Sequence, residues 1–122
     1  MSEISELIGK TMTNVEQVGS ERLEFHANDG SVYAFFYEHD CCASCDIEDI
    51  IGNLGDLVGA PILMAEETIS GENPDGIVKE YQDSFTWTFY KFATFKGYVT
   101  VRWYGESNGY YSESVSFEQV KP

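Results

Sequence analysis

The sequence predicts an α+β fold: a mainly antiparallel sheet of six to seven strands, one clear central helix and a short N-terminal helix. Three observations lead there. Apolar residues alternate with polar ones over much of the chain, which is the period of a half-buried strand. Asp29-Gly30 and Asn108-Gly109 are two-residue hairpin signals between such runs. One segment, 46–58, instead repeats its apolar residues at helical spacing. The 122 residues suit one domain, 1–122, large enough to bury about two-thirds of the surface its unfolded chain exposes.

Residues 3–9 place Ile4, Leu7 and Ile8 on one face of a short helix that stops at Gly9, and a strand of about 11–18 follows. Leu23, Phe25 and Ala27 then alternate with polar residues up to the Asp29-Gly30 turn, and 32–37 forms the return strand. Asp46 caps the central helix, with Ile47, Ile50, Ile51, Leu54, Leu57 and Val58 on its buried face and Gly59 at its end. Gly52 and Gly55 each weaken that helix by roughly 1 kcal/mol relative to Ala. Residues 62–69 read as a strand and 71–76, with Pro74, as a loop.

The last third reads as a three-stranded antiparallel meander. Phe85, Trp87 and Phe89 form the apolar face of one strand, and after Lys96-Gly97 the residues Val99, Val101 and Trp103 form that of the next. After Asn108-Gly109 a third strand runs over 110–117. That leaves Tyr90, Phe92, Tyr98, Tyr104 and Tyr110 pointing outward, as cross-strand aromatic pairs or as a binding face. The stretch Leu7-Ile8-Gly9 through Glu16 is echoed by Leu57-Val58-Gly59 through Glu66. The echo gives a possible tandem α-β-β-β repeat over 1–40 and 46–118 around a shared sheet.

Charge narrows the partners. No Lys or Arg lies between Arg22 and Lys79, a stretch with twelve carboxylates, and the whole chain carries a net charge of −14. Such a surface repels nucleic acid and anionic membranes and attracts basic proteins. At 43% hydrophobic residues the chain is too apolar for an acidic disordered protein. No window approaches a membrane span, and no basic and apolar leader precedes Ser2-Glu3-Ile4, so a cytoplasmic location is expected.

Several segments carry a resemblance. Asp29-Gly30-Ser31-Val32-Tyr33, His39-Asp40-Cys41-Cys42, Ile47-Glu48-Asp49-Ile50, 86–94 and, longest, 102–112 look like a family of small acidic proteins encoded by bacteriophages and some bacteria. The resemblance covers most of the chain and implies no known activity. It places the protein in the cytoplasm of a host cell. The family pattern keeps the Cys41-Cys42 pair without a cysteine at 45, so a three-thiolate site would be peculiar to this chain.

The clustered His39, Cys41, Cys42 and Cys45 are the weak metal candidate, since Cys42-x-x-Cys45 has the reach for zinc, but no second ligand pair occurs elsewhere. Ordinary reduced thiols are the simpler reading, and no cofactor is expected. No nucleophile elbow, zinc-protease motif or phosphate-binding glycine loop is present, and two histidines offer little general-base chemistry. The expectation is therefore a non-catalytic acidic binding protein of phage type that engages a basic, nucleic-acid-binding host protein, as an anti-defence charge mimic. Glu38, Asp40, Asp46, Glu48, Asp49, Asp56, Glu66 and Glu67 would make the contact. One alternative is a small-ligand or nucleotide site on the aromatic sheet face, using Trp87, Tyr90, Lys91, Arg102, Tyr104 and Tyr110. In the other, the charge serves solubility alone. An open strand edge or the tyrosines would also support a homodimer.

Overall fold

Each half of the chain builds a three-stranded meander and sends its fourth strand to the other half. The computed structural model describes residues 3–37, 43–70, 84–107 and 114–121. The first meander follows a 3-10 turn, η1 (Ile4–Leu7), and comprises β1 (Met12–Gln17), β2 (Arg22–Ala27) and β3 (Val32–Phe36). Next come β4 (Ala43–Ile51) and a second 3-10 turn, η2 (Leu54–Leu57). The second meander, β5 (Met64–Ser70), β6 (Ser84–Thr94) and β7 (Gly97–Ser107), precedes β8 (Ser116–Lys121). Two four-stranded antiparallel sheets result, in the orders β1-β2-β3-β8 and β4-β7-β6-β5.

The expected α+β class and its central helix are wrong. Among the described residues the helical elements are two 3-10 turns of four residues each. The cause of the error is a β-bulge. The β4–β7 register shifts between Ile47, opposite Trp103, and Asp49, opposite Arg102, so Glu48 is an extra residue. The bulge leaves Ile47 and Ile50, three residues apart, both packed on the core side, which imitates helical spacing. Gly52 then ends the strand with φ 109°, and a Cβ there would lie 2.6 Å from the Tyr98 carbonyl oxygen, a position only glycine fills. The Asn53 side chain caps the following turn by accepting from the Gly55 N–H at 2.8 Å.

The expected single sheet of six to seven strands is also corrected: the described residues form two sheets with eight strands. The third strand of the expected C-terminal meander does not pair with β7. Its described part, β8, pairs with β3, with Phe117 opposite Phe35. Between the sheets lies one aromatic core. Phe25 and Phe35 from the first sheet meet Tyr90 and Phe92 from the second, with ring centroids 5.0 Å apart for Phe25–Phe92 and 4.5 Å for Phe35–Tyr90.

The two halves also lock reciprocally. The Gly9 N–H donates to the Ile62 carbonyl at 2.8 Å, and the Gly59 N–H donates to the Met12 carbonyl at 2.9 Å. Thr11 bridges Pro61, and an offset of 50 carries Gly9 to Gly59, Thr11 to Pro61 and Met12 to Ile62. In the same way η1 packs on β5 and η2 on β1.

Candidate functional site: the outer face of the second sheet

Strand register decides which side chains share the solvent side of β4-β7-β6-β5. Trp103, Val101 and Val99 of β7 face the core, as alternation predicts, and they stand opposite Thr88, Tyr90 and Phe92 of β6. Residues directly opposite each other lie on the same face. Phe85, Trp87 and Phe89 are therefore on the outer face, the reverse of the expected arrangement, while Tyr90 and Phe92, expected outside, are buried in the core. Both phases of β6 are aromatic, so alternation alone carried no sign.

The outer face runs in cross-strand rows. Asp46, Tyr104, Trp87 and Ser70 form one; Asp49, Arg102, Phe89 and Thr68 the next; and Ile51, Thr100, Lys91 and Glu66 a third. Tyr98, Ala93 and Met64 close the sheet toward the β6–β7 turn. Of the residues expected in a ligand site, Trp87, Lys91, Arg102 and Tyr104 are thus brought onto one face. Tyr90 points away from it, and Tyr110 lies outside the described residues.

The two ends of this face differ. At one end the packing is closed: Trp87 is fully buried, with the Tyr104 ring at 4.6 Å and the Arg102 guanidinium 5.3 Å from its ring. Arg102 is held there by Glu48, whose carboxylate accepts from its Nε at 2.5 Å, and by Asp49 at 3.9 Å. The Tyr104 hydroxyl donates to Glu106 at 2.9 Å. At the other end Ile51, 53% exposed, and Tyr98, 75% exposed, face water on this side, while Phe95 at the β6–β7 turn is 77% exposed and Leu63 at the entry to β5 is 63% exposed.

The expected partner-binding carboxylates separate. Asp46, Glu48 and Asp49 lie along the β4 edge, and Glu66 lies on β5, at the opposite edge of the four strands, about 14 Å away at normal strand spacing. Glu67 faces the other way, beside the Tyr90 hydroxyl. Asp56 sits half-buried on η2, and its backbone carbonyl accepts from the Thr94 hydroxyl at 2.5 Å. Glu38 and Asp40 lie outside the described residues. So do His39, Cys41 and Cys42 of the metal candidate, whereas Cys45 is buried on the core side of β4, opposite Gly105.

One cluster was not visible in the sequence. On the outer face of the first sheet, Glu16, Glu24 and His26 bring ligand atoms within 4.8 Å of one another. His26 Nε2 lies 3.2 Å from Glu24 and 3.7 Å from Glu16, and Arg22 Nε donates to Glu24 at 2.7 Å. The Arg22 hydrogen bond holds the Glu24 carboxyl below its usual range. Glu16 opposes Glu24 and Asn14 opposes His26 across β1–β2, a pairing readable only once the hairpin register is known.

Among the described residues no helix is long and apolar enough to cross a membrane. Comparison with curated proteins finds no match. Comparison with solved structures also finds none. A family model does match, over residues 5–117, and with nearly the whole described fold inside that span the chain belongs to the family described as a domain of unknown function, DUF7448.

Proposed function

We propose that the protein is a non-catalytic acidic binding protein whose outer face on β4-β7-β6-β5 docks a basic protein. The observation that carries this reading is the pair of exposed apolar side chains Ile51 and Tyr98 on the outward side, with Phe95 exposed at the adjoining β6–β7 turn, between Asp49 on one edge and Glu66 on the other. An apolar centre with a charged rim is the anatomy of a protein interface. Charge selects the occupant: at a net −14, the chain attracts a basic surface and repels an acidic one.

The resemblance to phage-encoded acidic proteins supports a finer reading. In it the partner is a nucleic-acid-binding protein of the host, and occupying its basic surface blocks its target. Binding a nucleotide through Trp87 and Arg102 is less favoured, because Trp87 is covered and Arg102 is already paired with Glu48 and Asp49.

The test is competitive capture from host lysate. Wild-type protein should retain a basic protein at 0.15 M salt and release it as salt rises, and the retained protein should lose bound nucleic acid when this protein is added. Tyr98→Ala with Phe95→Ala should abolish retention. Retention unaffected by salt and by both substitutions would overturn the reading.

A further inference from the structure

A second site lies at the seam between the sheets, away from the proposed docking face. Here η1, β5, β6 and β8 enclose a cleft of about 550 Å³, lined by Glu3, Ser5, Glu67, Tyr90, Ser116 and Phe117 among others. That volume falls within the range of about 300–1,000 Å³ usual for small-molecule sites. Two carboxylates, Glu3 and Glu67, and several hydroxyls line the cleft together with the apolar Ile4 and Phe117, and the described lining residues include no cationic side chain. Tyr90 is 1% exposed, and Glu67, its direct partner across β5–β6, interacts with its phenol. The buried phenol and the carboxylate thus meet at the cleft wall.

The fold does not need this polar pair. The offset of 50 that relates the two interlocked halves carries Glu67 back to Gln17, whose cross-strand partner is Leu23, just as that of Glu67 is Tyr90. Leu23 is buried like Tyr90, so an apolar residue serves the same packing position in the other half. A phenol–carboxylate pair at one of two equivalent positions, opening onto a cleft, marks a site rather than a packing requirement.

We infer that this cleft binds a small organic cation bearing a primary ammonium or guanidinium group. Glu67 and Glu3 supply the counter-charge, the serine hydroxyls accept hydrogen bonds, and the half-buried Phe117 ring on the cleft wall adds an aromatic contact to the cation. A bare metal ion fits less well, because the group of three clustered metal-ligating residues among the described ones lies on the other sheet, at Glu16, Glu24 and His26.

The probes are agmatine and spermidine, titrated into the full chain at 0.15 M NaCl by calorimetry and by amide chemical shifts. Saturable one-to-one binding is expected, with the largest shifts at Ser5, Glu67, Ser116 and Phe117. Glu67→Gln should weaken it at least tenfold, and Tyr90→Phe, which keeps the core ring, should weaken it several-fold. Glu16→Gln removes the same charge from the other sheet and should leave the affinity unchanged. Non-saturating binding, equal losses in Glu67→Gln and Glu16→Gln, or shifts spread over all acidic surfaces would show only counter-ion attraction and overturn the proposal.

Discussion

Trp103 and Tyr98 show how unequally the aromatics of β7 are used. Trp103 is fully buried in the core, while Tyr98 is 75% exposed. Trp103→Ala should therefore cost roughly 3 to 5 kcal/mol in chemical denaturation. Tyr98→Ala should change stability by about 0.5 kcal/mol or less. A large loss at Tyr98 would mean that its ring supports the fold and would weaken its assignment to a docking face.

Titration adds a second test at this scale. The carboxyls of Asp29, hydrogen-bonded to Lys10 and Ser31, and of Glu24, hydrogen-bonded to Arg22, are held below their usual range. Depressed carboxyls stabilise the fold above their unfolded values near 4, and the contribution is lost as pH falls through the folded values. Tyr90 has the opposite sign. Burial, then Glu67, raises its phenol above the ordinary value of 10.0, so its contribution is full below about pH 10 and is lost as pH rises further. Absorbance at 295 nm should show a tyrosine ionisation that occurs only together with unfolding, and Tyr90→Phe should reduce its amplitude by one phenol. If all described tyrosines titrate before the fold is lost, the hydroxyl of Tyr90 is not buried.

At the scale of elements, β4 holds the main lesson about sequence and structure. Its isoleucines fall three apart because Glu48 bulges, and nothing in hydrophobic spacing separates a bulged strand from a helical turn. The two glycines noted as weakening a helix, Gly52 and Gly55, were the better guide, since Gly52 ends the strand where a Cβ would strike Tyr98. The β2–β3 and β6–β7 hairpins were legible because Asp29-Gly30 and Lys96-Gly97 carry turn chemistry next to clean alternation. The outer face was legible only in part. Trp87, Lys91, Arg102 and Tyr104 were recognised as a set, but the side taken by β6 depends on pairing with β7, and the exposed Phe95 and Leu63 lie at a turn and at a strand entry where no period applies. Gly52→Ala should cost about 2 kcal/mol through strain and the forced shift of the Tyr98 backbone. A melting temperature equal to wild type would contradict the described end of β4.

For the whole molecule, two features dominate: reciprocal interlocking and excess negative charge. The exchange of fourth strands, β4 to the second sheet and β8 to the first, adds two pairings between strands far apart in sequence, β3–β8 and β4–β7, and local periodicity contains no trace of them. It also ties each half to the other, so the two sheets should unfold in one cooperative transition. A net charge of −14 opposes compaction by self-repulsion. Raising NaCl from about 0.02 to 0.5 M should therefore raise the melting temperature, as screening shortens the range of that repulsion. An unchanged or lower value would show that the ion pairs at Arg22, Lys10 and Arg102 outweigh it.

The same charge and the exposed apolar end of the second sheet meet in the central claim, that this face docks a basic protein. The direct measurement is chemical-shift mapping of the full, isotope-labelled chain titrated with the basic protein it retains from lysate, alongside the Asp46→Lys, Asp49→Lys, Glu66→Lys triple variant. The account predicts shifts confined to the outward residues of β4 to β7, centred on Ile51, Phe95 and Tyr98, and at least a tenfold loss of affinity in the triple variant with little change in stability. Shifts on the first sheet instead, with the variant binding as tightly as wild type, would contradict it.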